Sequence, residues 1–239
     1  MDGDVEALRQ ELEQGVSPNL ADIRTGWLGR TPLHYLGMFY YGKSAETVAA
    51  CFHLLVAAGA DVTAADDIQG RTPLHSAVAM RDTSAAVTLT SLLIEAGADV
   101  NQADENDGRT PLHSATVAHY NVIDQPNNIE DCINILLRAG ADVNARKRDD
   151  GRTPLEFALH WNFTRRRGEF PVLLRGGADL PTNTNNPYIL RVKRAGGFRR
   201  YEQAHLTKLT TSFAPKFSRL LPPELTQRVV GYWLHAGYY

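Results

Sequence analysis

The chain has 239 residues, 43% hydrophobic and 22% charged, with a formal net charge of −2. This is ordinary globular composition, enough for one elongated domain or two small ones, and no apolar run approaches the ~20 residues a membrane helix needs. The charge is unevenly placed: residues 1–150 hold 11 Lys and Arg against 22 Asp and Glu, and residues 151–239 hold 14 against 5, so the parts stand at −11 and +9. Either the two ends meet different surroundings or they neutralise each other.

Met1-Asp2-Gly3-Asp4 is acidic and lacks the basic start and apolar core of a secretory signal. Cys51 and Cys132 lie far apart among apolar residues, without Cys or His at metal-ligand spacing. They read as small buried hydrophobes in a reducing compartment, so a cytoplasmic or nuclear location is expected.

The first element runs from Asp4 to Glu13, with Val5, Leu8 and Leu12 at helical spacing. Gly15 stops it and Ser17-Pro18-Asn19 turns the chain. Then a phrase begins that is written four times: Gly29 to His34, Gly70 to His75, Gly108-Arg109-Thr110-Pro111-Leu112-His113, and Gly151 to Glu156, with Glu in the last place. Thr caps a helix through its side-chain oxygen, and Pro at the first helical position loses no bond, because that N–H has no intrahelical partner. Leu33, Leu74, Leu112 and Leu155 are expected to point inward. Ala77, Ala115 and Ala158 allow close helix approach, with Leu36 in that place in the first unit.

A second helix in each unit ends in a leucine-rich run and stops on Gly59, Gly97, Gly140 or Gly177 of Gly-Ala-Asp-Val/Leu. The helix from Asp4 to Glu13 precedes every copy of the opening phrase, with Gly15 in the place of these glycines, so it reads as the back half of a repeat, able to act as a polar cap.

These phrases resemble the ankyrin repeat. Thr-Pro-Leu-His and Leu-Leu-x-x-Gly-Ala-Asp-Val-Asn carry the resemblance over roughly residues 1–182. It implies an all-α solenoid of two antiparallel helices plus a hairpin finger per unit, with units starting near 1, 28, 69, 107 and 150, and a helical segment over 183–239. It also implies a non-catalytic module that binds a protein partner through its concave groove, finger tips and loops. The ankyrin unit is about 33 residues. Here the capping threonines Thr31, Thr72, Thr110 and Thr153 are 41, 38 and 43 apart, while the distance from Gly59, Gly97 and Gly140 to the next Thr is 13 each time. The excess therefore lies between the two helices, over 39–43, 80–83, 119–128 and 161–168.

Residues 183–239 leave the pattern. Tyr188–Arg194 reads as a short basic helix, Gly196-Gly197 breaks it, and Phe198–Phe213 reads as an amphipathic helix with Tyr201, Leu206, Leu209 and Phe213 inward. Pro222-Pro223 then starts a third, with Leu225, Val229, Val230, Trp233 and Leu234 on one stripe.

No nucleophile elbow, phosphate loop or zinc-protease motif occurs, so neither an enzyme nor a cofactor is expected. His34, His75 and His113 read as scaffold rather than metal ligands. In ankyrin repeats this His bonds between fingers, and Thr153-x-x-Glu156 keeps a capping box without an imidazole. Arg30, Arg71, Arg109 and Arg152 precede the capping Thr and border the groove by resemblance; they could meet a carboxylate-rich partner or pair with finger acids such as Asp67, Asp107 and Asp150.

Phe39, Tyr40, Tyr41, His119, Tyr120, His160, Trp161 and Phe163 cluster at the inserts, with Arg165-Arg166-Arg167 beside them, as interface anchors or as packing for the inserts. Asn101 and Asn144 sit in a pattern similar to that of asparaginyl hydroxylase sites in ankyrin proteins, or serve the fingers structurally. Leu221-Pro222-Pro223-Glu224-Leu225, followed by Val229 and Trp233, resembles the opening of an F-box. That implies docking on a cullin-ligase adaptor and substrate recognition by the repeats; the alternative is a helical cap over the last repeat. Nucleic acid is the minority reading for a chain of near-neutral charge, and no membrane contact is expected.

Overall fold

The computed structural model describes residues 3–24, 27–39, 44–80, 83–117, 128–160 and 169–217, with Pro222 and Leu225. Among the described residues all regular structure is helical: α1 Gly3–Glu13, α2 Pro32–Phe39, α3 Ala45–Ala57, α4 Pro73–Val78, α5 Thr83–Glu95, α6 Pro111–Val117, α7 Asn128–Arg138, α8 Pro154–His160, α9 Glu169–Arg175, α10 Pro187–Arg194 and α11 Phe198–Phe217. The chain divides into two compact units, 1–161 and 162–239.

In the first unit, α2, α4, α6 and α8 each open on the proline of the repeated phrase, as the capping argument requires. Leu33, Leu74, Leu112 and Leu155 behind those prolines are fully buried. The partner helices bury Val48, Cys51, Phe52 and Leu55 on α3, Leu89 and Leu93 on α5, and Ile133 and Leu136 on α7. Each such side chain contributes roughly 1.5–3 kcal/mol. Like packs on like: α4 lies against α2 and α6, α6 against α8, and α5 against α3 and α7. At the start of the chain α1 packs on α3, a second helix, and buries Val5. The leucine-rich helices close on glycine in the left-handed region, as at Gly97 with φ 95°.

One packing expectation needs correction. In the first repeat the close approach is made by Gly37, not at the position of Leu36. A Cβ on Gly37 would lie 2.7 Å from the Ser76 carbonyl carbon and 2.8 Å from the Ala77 nitrogen. Leu36 is buried in the core beside this contact.

The second unit holds α9, α10 and α11. Phe170 of α9 meets Tyr188 of α10 with ring centroids 6.0 Å apart, and Arg175 of α9 pairs with Glu202 of α11 at 2.8 Å. Asn186 caps α10, its Oδ1 accepting from the N–H groups of Tyr188 and Ile189. Ile189 and Val192 are buried beneath. α11 runs to Phe217, past the expected end at Phe213 and through Pro215. The repeat phrases place a boundary at 182/183, whereas compactness divides the chain at 161/162, because α9 packs with α11.

Candidate functional site

The histidines of the repeated phrase join successive units. The Thr31 N–H donates to His34 Nδ1 at 3.1 Å, and His34 Nε2 lies 2.8 Å from the Arg71 carbonyl oxygen of the next unit. His75 repeats this with Thr72 at 3.2 Å and the Arg109 carbonyl at 3.0 Å. His113 does so with Thr110 at 3.3 Å and the Arg152 carbonyl at 3.1 Å. Since Nδ1 accepts, the proton sits on Nε2, which donates to the carbonyl. Burial holds all three imidazoles below their ordinary value, His75 down to about 4. In the fourth phrase the Thr153 N–H donates to Glu156 Oε2 at 3.1 Å, and the Glu156 N–H to Thr153 Oγ1 at 3.3 Å. This is the reciprocal cap expected from Thr-x-x-Glu.

Each arginine before the capping Thr meets a carboxylate. Arg30 Nε is 3.2 Å from Asp66, and its guanidinium stands 4.7 Å over the Trp27 ring. Arg71 reaches Asp104 at 3.4 Å, Arg109 reaches Asp107 at 2.7 Å, and Arg152 reaches Asp150 at 3.4 Å. Asp107 and Asp150 are the partners named from sequence; Arg30 takes Asp66 instead of Asp67, which is exposed. Asp66 also accepts from the N–H groups of Gln69 and Arg71, at 2.8 and 3.3 Å. It therefore closes its own finger and ties that finger to the unit before. Burial raises its carboxyl, but those backbone donors and Arg30 outweigh it and hold the group below the usual range.

The fourth finger reverses this polarity. Lys147 stands in the register of Asp66 and Asp104, each of whose N–H groups bonds the carbonyl of the arginine five residues on. It is only 4% exposed. Its ammonium lies 3.0 Å from Asp107 of the preceding finger and 3.0 Å from Asp149. The Phe157 ring lies against both Lys147 and Arg109, at 4.7 and 4.8 Å. Lys147 and Phe157 were not among the residues singled out by sequence. Aligning the fingers on their Gly-Ala-Asp starts would have exposed the Asp-to-Lys exchange.

The finger asparagines are structural links. Asn101 Nδ2 donates to the Gly140 carbonyl at 3.1 Å, and Asn101 Oδ1 accepts from the Asp142 N–H at 2.8 Å. Asn19 makes the same pair to Gly59 and Asp61, at 2.9 and 2.7 Å. The second finger has Thr63 at this place, and its hydroxyl turns to Asp61 at 2.7 Å. Thr63→Asn is expected to add the missing bridge to Gly97 and Asp99 and to stabilise by about 1 kcal/mol, read as a higher urea midpoint. A midpoint at or below the wild-type value would show that the third unit does not present those groups as the second and fourth do.

The first finger is longer than the rest. Its Asp22 N–H bonds the Arg30 carbonyl eight residues on, against five for Asp66 and Arg71. Asp22 is fixed by Arg24 at 2.5 Å and by the Tyr35 hydroxyl, and these partners hold its carboxyl far below the usual range. Around this anchored turn Leu20 is 62% exposed, Ile23 87% and Leu28 40%, and on the next finger Ile68 is 42% exposed. The Asp67 N–H donates to the Leu28 carbonyl at 3.1 Å, which sets the second finger tip beside the first.

Residues 44–147, from the cap of α3 to Lys147, match the family described as ankyrin repeats (3 copies). This part of the chain is an array of ankyrin repeats. Ankyrin repeats are generally protein-binding modules and are typically non-catalytic. No curated protein matches the chain. The phrases at Thr31 and Thr153 lie outside the ankyrin match, yet they make the same cap bonds as the phrases inside it.

Of the aromatic candidates for an ankyrin contact surface, Phe39 closes α2, and His160, which is exposed, ends α8. Tyr40, Tyr41, His119, Tyr120, Trp161, Phe163, Arg165, Arg166 and Arg167 lie outside the described residues, as do Leu221, Val229 and Trp233 of the tail. Pro222 and Leu225 are exposed. Cys132 is buried and its thiol is pushed up to about 11, so it is a packing residue. Among the described residues no helix is long and apolar enough to cross a membrane.

Proposed function

We propose that this chain is a non-catalytic protein-binding module whose contact surface is the edge formed by its first two ankyrin fingers. The observation that carries the reading is the exposed apolar group of Leu20, Ile23 and Leu28 on the enlarged first finger, with Ile68 on the finger beside it. Fingers are short turns with no core of their own, so apolar side chains held out there find cover only in a partner. The polar groups of the array are meanwhile spent internally, on the histidine bonds, the asparagine bridges and the arginine ion pairs. A row of arginines already facing carboxylates is a weaker anchor than an uncovered Ile23. The aromatic inserts are proposed as secondary contacts.

The test compares proteins retained from cell extract by the wild-type chain and by Ile23→Asp/Ile68→Asp. Both side chains are exposed, so the melting temperature should not move. Loss of specific retained proteins in the double variant is the expected result; an identical retained set would remove the finger edge from function. A second reading, docking of the tail on a cullin-ligase adaptor, draws on the exposure of Leu225. Leu225→Asp should then abolish cullin co-purification, and absence of cullin from wild-type samples would end that reading.

A further inference from the structure

The second unit carries a surface unlike that of the fingers. Residues 162–239 hold 13 Lys and Arg against 4 Asp and Glu. Over α10, α11 and their connection, residues 187–217 have seven cations and a single carboxylate, Glu202. Glu202 is spent on Arg175, whose Nη2 and Nε lie 2.8 and 2.9 Å from it.

On α11 the exposed positions are 199, 200, 203, 204, 207, 208, 211 and 212. They recur at helical spacing and form one outward stripe. The stripe bears Arg199, Arg200 and Lys208 and no carboxylate. On α10, Arg191 and Arg194 are exposed, one turn apart. None of these five cations has an ion-pair partner among the described residues.

The two helices are fixed to each other, so their cations are held in place. Tyr188 of α10 meets Tyr201 of α11 edge-on at 5.6 Å, and Tyr201 stacks on His205 at 5.9 Å with planes 6° apart. Arg191 from one helix and Lys208 from the other both act on His205; after burial, their charges hold its imidazole below the ordinary value. Cations from two elements thus converge around one half-exposed ring. Like charges held together on a rigid surface repel, and an external polyanion relieves that repulsion.

We propose that the outer faces of α10 and α11 bind the phosphate backbone of nucleic acid without reading base sequence, through Arg191, Arg194, Arg199, Arg200 and Lys208. The spacing favours a polyanion of closely set charges: from Arg199 to Lys208 the helix advances about 14 Å, and a nucleic-acid strand places a phosphate about every 3.4 Å in a duplex. A folded protein partner offers mixed charge, and this face has no carboxylate to match the cations of such a partner. The surface is independent of the finger edge.

The test is fluorescence anisotropy of the full chain with a labelled single-stranded oligonucleotide and with its duplex, titrated from low to moderate salt. Binding to at least one is expected, with log K falling against log salt by about 0.7 per phosphate contacted on a single strand and 0.9 on a duplex. Arg191→Gln/Arg200→Gln/Lys208→Gln should weaken binding at least about tenfold and flatten the slope by about 2 on a single strand. All three side chains are exposed, so circular dichroism and melting should match wild type. Arg9→Gln on α1 should change nothing. Three results would overturn the proposal: no binding to either probe at low salt, a triple variant that binds as wild type does, or equal binding of a polyglutamate peptide of matched charge, which would make an acidic protein segment the ligand.

Discussion

Lowering the pH from 7 to 5 is expected to remove about 2 kcal/mol of folding stability through His75 alone. Burial depresses this imidazole from 6.5 to about 4 in the folded chain. Between those values the unfolded chain takes up a proton that the folded chain refuses. Stability from this group is therefore fully present above 6.5, falls as the pH falls, and is lost entirely below about 4. His34 and His113 are lowered for the same first reason, burial, and act with the same sign. Protonation also places an N–H on Nδ1, opposite the Thr N–H it now accepts, so it breaks the cap as well as charging a buried ring. Asp66, held low by its backbone donors and Arg30, loses its contribution only below its ordinary value of 3.8, so the windows separate.

Urea midpoints of the wild type and of His75→Gln at pH 7 and pH 5 provide the measurement. A glutamine can accept from the Thr72 N–H and donate to the Arg109 carbonyl without titrating. The variant is expected to lose about 2 kcal/mol less than wild type across that interval. Equal losses in both proteins would mean that His75 titrates in the fold as it does in water.

Gly37→Val is expected to destabilise the first repeat by about 3 kcal/mol or more, at or above the upper end for overpacking. The new Cβ would stand 2.7 Å from the Ser76 carbonyl carbon, and the atoms it meets are largely backbone of α4. Backbone cannot rotate aside as a side chain can, so α2 and α4 must separate along their contact. Gly37→Ala should cost less, because the better helix propensity of Ala returns about 1 kcal/mol. The informative comparison is Gly97→Ala. Gly97 has φ 95°, and a Cβ added there would meet nothing within 4 Å, so only conformational strain of about 1–2 kcal/mol applies. Thermal melts of the three variants rank these causes. A Gly37→Val protein melting with the wild type would show that α2 and α4 do not approach as closely as described.

The repeat architecture was legible because it is written in local chemistry. Thr-Pro starts each first helix and glycine ends each second one, and the leucines between have one buried side wherever the motif recurs. The role of the histidines was legible for the same reason, and Glu156 in their place marked the cap as the retained feature. The long inserts were legible as excess length between helices. The finger edge was less so. Ile23 and Ile68 look like ordinary apolar residues in the sequence, and their exposure follows from how Asp22 and Asp66 pin the turns that carry them.

By itself the sequence determined the repeat elements: which residues start, stop and line those helices, because caps, glycine ends and helical periodicity act within a few residues. Only the tertiary structure decided how units are joined. Arg30 takes Asp66 rather than its neighbour, Gly37 rather than Leu36 sets a helix separation, and buried Lys147 reverses the ion pair at the fourth finger. These depend on distances between residues some 36 to 40 positions apart, set by the packing of one unit on the next; aligned fingers display the Asp-to-Lys exchange at 147, but not which carboxylate meets it.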